Sequence, residues 1–233
     1  MTWIIIGCVI GFAVLLCFLL AVANFAGERF LERYEEVDQI SIENPISPNE
    51  FFNQMNSEFF GNKLRSCPVA GKATDAYSKG VLYLSLHSQH RRSIASFTII
   101  AHELGHALQD KNGKKLKTLS SLRWIGRILG MLFAPMLLAG GILCVTEYFV
   151  LGLCLLGGGV LIFFLALFVK LRTISIEKEA SKNALIFLEE IMTEEELKES
   201  KKFLADAKLT YWADFLRMAL WWTGLSRQTK MFN

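Results

Sequence analysis

Three stretches of the chain are apolar and almost free of charge, and the segments between them carry helical or alternating periodicity. Residues 3–26 hold no charged side chain and are long enough to cross a bilayer at about 1.5 Å of rise per residue. Their rival reading is a cleaved signal peptide. The run lacks a basic start and exceeds a usual signal core, so it is expected to be an uncleaved anchor. Residues 125–146 and 149–169 form two further runs joined at Thr146-Glu147-Tyr148, which predicts a tight transmembrane helical hairpin over 125–169. Pro135 and the clusters Gly140-Gly141 and Gly157-Gly158-Gly159 are tolerable there and favour close helix packing.

The intervening segments carry start and stop signals. Glu28 to Asp38 reads as a charged continuation of the first helix. Ser47, Pro48 and Glu50 predict a capped helix that runs through Phe51, Phe52, Met55 and Phe59 to a stop at Gly61. Ser78-Lys79-Gly80 reads as a turn, and Val81 to Leu86 as a strand whose edge either takes up an extended peptide or only closes a small sheet. Ser93 caps a helix with the apolar stripe Ile94, Phe97, Ile100, Ala101, Leu104 and Leu108. A charged turn with Asn112-Gly113 follows. Beyond the hairpin, Leu171 to Ile191 continues as a helix. Thr193 with Glu196 then opens another, through Phe203, Leu204 and Leu209. Residues 211–225 are rich in tryptophan but contain Asp214 and Arg217, so they are expected to lie at the interface or against the hairpin.

Composition agrees: hydrophobic residues make up 52% of the 233, concentrated in the uncharged runs, which marks an integral membrane protein in contact with a lipid bilayer. A net charge of +3 with no basic stripe argues against nucleic acid as a partner. Cys67 stands alone outside the apolar runs, so no disulfide framework is suggested. Between Ile128 and Val169 the only charge is Glu147, which argues against a transporter. Lys111, Lys114, Lys115, Lys117, Arg123 and Arg127 precede the hairpin, and Lys170, Arg172, Lys178 and Lys182 follow it. The positive-inside rule therefore places the region between anchor and hairpin in the cytoplasm.

That region holds Ala101-His102-Glu103-Leu104-Gly105-His106, an HExxH pattern, and all four histidines of the chain fall between His87 and His106. On a helix His102 and His106 share one face and can hold one Zn²⁺, with Glu103 placed to act on a water as general base. The bland alternative is two core histidines. A catalytic zinc needs a third protein ligand. Gln109 and Asn112 stand where the metzincin pattern has glycine and histidine, so a later glutamate is required. Glu177 is the best candidate, because two membrane crossings separate it from His106 and return it to the same side. Glu179 is the rival ligand, although it points away from Ala180, Ser181 and Ala184. Ser181, one turn on, would support a ligand from behind. Tyr211 is the candidate donor to the oxyanion, and His87 and His90 read as loop residues. Hydrolysis of a peptide or protein substrate is the expected chemistry. A non-proteolytic zinc-binding scaffold, closed by a fourth ligand such as His87 or Cys67, is the alternative.

The stretch Ser93 to Gln109, the glycine-rich hairpin and then Glu177-Lys178-Glu179-Ala180-Ser181 resemble the YugP-type membrane zinc metallopeptidases, as do Val81 to Ser85 and Ala207 to Tyr211. More distantly the chain is similar to the HtpX and CAAX-prenyl-protease gluzincins, where an aspartate stands at the position of Ser181. The resemblance implies His102, His106 and Glu177 as ligands of one Zn²⁺ per chain and Glu103 as base. It implies a mainly α integral membrane protein with a zincin-like (gluzincin) domain and a small β-sheet. Its expected parts are an anchor at 3–26, a first metallopeptidase part at 27–124, the hairpin at 125–169, inserted between the two zinc-ligand helices, and a second part at 170–233. The expected setting is a prokaryotic plasma membrane.

Overall fold

The computed structural model describes residues 2–70, 75–111 and 115–220. The chain is mostly helical: α1 (Thr2–Gln39), α2 (Pro48–Phe60), α3 (Leu86–His90), α4 (Ile94–Lys111), α5 (Lys115–Leu143), α6 (Phe149–Leu188) and α7 (Glu194–Ala219). Three short strands, β1 (Arg65–Val69), β2 (Ala76–Ser78) and β3 (Val81–Ser85), precede α3. The contacts divide into a polar unit, residues 29–120 and 174–208, and an apolar unit, residues 2–28, 121–173 and 209–220.

Local chemistry sets the boundaries in the polar unit. The Ser47 hydroxyl accepts from the Glu50 N–H and the Glu50 carboxylate accepts from the Ser47 N–H, while Gly61 closes α2 in the left-handed region at φ 59°. The same reciprocal pair forms between Thr193 and Glu196 at the start of α7. Glu196 also accepts from the Glu43 N–H at 2.6 Å, so one carboxylate serves a cap and a distant loop. Both boxes are where the sequence places them. At the β2–β3 turn Lys79 and Gly80 both have positive φ, 47° and 82°, the combination that suits the twist of a two-residue hairpin.

The sheet has the order β1-β3-β2, with β1 parallel and β2 antiparallel to β3. Of the two readings of β3, the pairing favours the strand that closes a small sheet: β1 covers it from Val81 to Ser85 and β2 from Val81 to Tyr83. Where β2 runs out, the Ser85 N–H donates to the Asp75 carboxylate at 2.7 Å. Against the sheet and α2 lies a core with Phe51, Leu82, Leu84, Phe97, Ile100, Leu104 and Phe187 fully buried.

In the apolar unit, the spans Thr118–Leu143 and Phe149–Leu188 are long and apolar enough to cross a membrane among the described residues. Glycine lets α5 and α6 touch: a Cβ on Gly140 would collide with the backbone of Gly152 and Leu156. The end of α7 packs on this pair, with Phe215 against Phe133 and Ala166. Arg217 donates to the Ala23 carbonyl of α1 at 3.0 Å. Of the segment 211–225, the described part is thus packed against the hairpin, one of the two expected placements. Residues 221–225 and the Asn112-Gly113 turn lie outside the described residues.

Candidate metal centre

The site is assembled by a close crossing of α4 and α6. Ser93 caps α4, its hydroxyl accepting from the Ser96 N–H at 3.2 Å and donating to Asp38 at 2.8 Å. Farther along, Gly105 leaves room for the Ala180 carbonyl, and any Cβ there would collide with it. Two amides fasten the crossing. Gln109 Nε2 donates to the Ile176 carbonyl at 2.9 Å, and Asn183 Nδ2 donates to the Gly105 carbonyl at 3.4 Å. With both helices held over 176–183, Glu177 faces the histidines of α4.

Glu177 Oε2 lies 3.4 Å from His102 Nε2 and 3.3 Å from His106 Nε2. The imidazoles stand edge to face at 4.8 Å between centroids. Glu177 is fully buried, His106 nearly so, and His102 is the partly open member. Gln109 Oε1 accepts from His106 Nδ1 at 3.1 Å, which turns Nε2 towards Glu177. Burial pushes the His106 pKa down. The Glu177 hydrogen bond, the Glu103 charge and the contact with Gln109 together outweigh it, so the net direction is upward. Glu103 is buried one position along from His102.

Among the described residues, His102, His106 and Glu177 are the only group of three or more histidine, cysteine or acidic side chains whose ligand atoms converge, all within 4.8 Å of one another. Ser181 Oγ sits 3.4 Å from His102 Nδ1 and donates to the Glu177 carbonyl at 3.0 Å. Glu179 is outside the cluster. His87 and His90 are on the short helix α3 rather than in a loop, and His87 binds Asp38 at 2.9 Å. Cys67 is on β1. Tyr211 belongs to the apolar unit, where the Lys170 ammonium lies 5.7 Å from its ring centre.

Residues 10–223 match the model of a protein family described as "Putative neutral zinc metallopeptidase". The chain belongs to this family. Over 148 residues it is 33% identical to "Putative membrane protease YugP" of Bacillus subtilis (strain 168), covering 62% of this chain and 63% of that relative's length. No solved structure matches the chain significantly. Membership of the metallopeptidase family implies zinc and supports a protease role. The apolar helices and the relative's name support membrane association.

Three members of the α4–α6 contact, Gly105, Gln109 and Asn183, have no assigned contact in the sequence reading. There Gln109 only stands where the metzincin pattern has its glycine. Gln109 lies three residues after His106, a spacing that suits a partner of its ring. That was the available signal.

Proposed function

We propose that this chain is a membrane-embedded zinc metalloendopeptidase of the gluzincin type, with its site at the cytoplasmic face of a prokaryotic plasma membrane. The observation that carries the reading is the convergence of two imidazoles and one carboxylate on a single buried point. Two of the three donor spacings fit the ion, and the set as a whole lies within 4.8 Å. Ligands about 2.0–2.1 Å from a tetrahedral zinc lie about 3.3–3.4 Å apart. Glu177 Oε2 stands at 3.4 and 3.3 Å from the two Nε2 atoms. His102, His106 and Glu177 would hold one Zn²⁺ on this reading, in a zincin-like domain interrupted by the hairpin. Bound there, zinc supplies a water of lowered pKa and a polarised scissile carbonyl.

The remaining chemistry belongs to the chain. Glu103 takes the proton of the attacking water and delivers it to the leaving amine. Ser181 and Gln109 hold the rings of His102 and His106 in place. The oxyanion of the tetrahedral adduct needs a hydrogen-bond donor. The scaffold alternative requires a fourth ligand. His87 is occupied by Asp38, and Cys67 Sγ lies against the Pro68 carbonyl at 3.8 Å, which favours an open site.

The test is Glu103→Gln. The variant keeps one zinc per chain and loses cleavage of a peptide substrate by about 10²–10⁴-fold, the span attributed to a general base. Full activity with zinc bound would remove Glu103 from the reaction.

A further inference from the structure

In the polar unit a cavity of about 430 Å³ opens between α6 and α7, lined by Lys178, Ser181, Lys182, Lys201 and Lys208, with Glu179 its single carboxylate. Lys178 and Lys182 are four residues apart and share one face of α6. Lys201 and Lys208 are seven apart and share one face of α7. Two helices thus contribute a pair of lysines each to the lining of one concavity, where like charges repel until an anion enters. Ser181 joins this cavity to the histidines: it lines the cavity, and its hydroxyl sits 3.4 Å from His102 Nδ1. A ligand in the cavity is therefore one side chain away from the metal centre.

We infer that this cavity receives acidic side chains of the peptide substrate beside the scissile bond, so that the protein selects acidic segments. The inference rests on the peptidase reading and adds the substrate class. Lysine offers charge without the planar fork of arginine, so the subsite reads charge density rather than carboxylate geometry, and aspartate and glutamate serve alike. Lys178, Lys182 and Lys201 are exposed, which makes the selection sensitive to salt. Serving the headgroups of anionic lipids is the competing use of the same lysines, and the experiment separates the two.

Full-length zinc-loaded protein in neutral-lipid nanodiscs is given internally quenched peptides that differ only in three neighbouring residues, acidic in one and their amides in the other. The acidic peptide is expected to show kcat/KM about tenfold higher at low salt, the scale of a few exposed charge pairs acting together, with the ratio falling at high salt. The triple variant Lys178→Gln, Lys182→Gln, Lys201→Gln brings the ratio to about one. Lys202→Gln, whose ammonium pairs with Glu199 at 2.6 Å outside the cavity, leaves it in place. Fluorescence anisotropy on the Glu103→Gln variant measures binding of the same peptides without turnover. Equal cleavage and equal binding of the two peptides overturn the inference while the peptidase reading stands. Charge-selective binding that depends on the lysines, with no cleavage by the parent, upholds the subsite and defeats the peptidase reading. A ratio that follows the anionic lipid content of the disc instead of peptide charge assigns the lysines to headgroups and overturns the inference.

Discussion

Glu177 and Asp75 are two acidic side chains that this fold withdraws from water in the polar unit, and it does so on different terms. Glu177 is enclosed by imidazoles and suits a cation. Asp75 accepts from the Ser85 N–H at 2.7 Å and the Ser88 hydroxyl at 3.1 Å. Burial still pushes its pKa above the usual 3.8, those hydrogen bonds pull it part of the way back, and the charge on Glu103 adds to the rise. A carboxyl whose folded pKa is raised binds its proton more tightly in the native state, so its contribution grows as pH falls through the folded value towards 3.8 and is lost as pH rises. Asp75→Asn never carries the buried charge. Relative to the parent, its melting temperature should therefore be most favourable at pH 7 and lose ground towards pH 4. A difference that does not change with pH would contradict the raised carboxyl. HExxH and Glu177 are legible because helical spacing and the number of apolar runs long enough to span between them are properties of the chain alone. Asp75 was not, since its partners lie ten and thirteen residues away across a strand and a short helix.

Among the elements, helix ends were the most readable feature. A cap is closed by residues three apart, and Ser47 with Glu50 and Thr193 with Glu196 form as local rules require. The strand β3 illustrates what local rules omit. Its alternation marks a strand, but its central position depends on β1 pairing in parallel from sixteen residues upstream, where Arg65 meets Val81. The crossing of α4 and α6 is equally non-local and rests on one missing side chain. Gly105→Ala would place a methyl against the Ala180 carbonyl, forcing the helices apart where Glu177 meets the histidines. The cost should be about 1–3 kcal/mol, as for other overpacked contacts. Zinc content measured on the purified variant should fall together with the melting temperature. Retention of both would mean that the crossing relaxes without moving Glu177.

At the scale of the whole molecule, α1, α5, α6 and α7 each pass from one unit into the other, so the polar unit is built from segments separated by apolar ones. The pattern of apolar runs made this order legible, since a run long enough to span needs no tertiary information. How the polar segments return to one another was only inferable from parity. The proposed orientation has a direct consequence, because basic residues flank the hairpin on both sides and its turn carries only Glu147. Cys67 lies in the polar unit and Glu147 is exposed at the turn between α5 and α6. Two single-cysteine proteins follow from a background lacking Cys8, Cys17, Cys144 and Cys154: one keeps Cys67, the other carries E147C with Cys67 also removed. In intact cells a membrane-impermeant maleimide should label the E147C protein and spare Cys67, which should react once the cells are opened. The reverse pattern would put the metal centre outside the cell. Its substrates would then be sought among extracytoplasmic proteins, with the chemistry at His102, His106 and Glu177 unchanged.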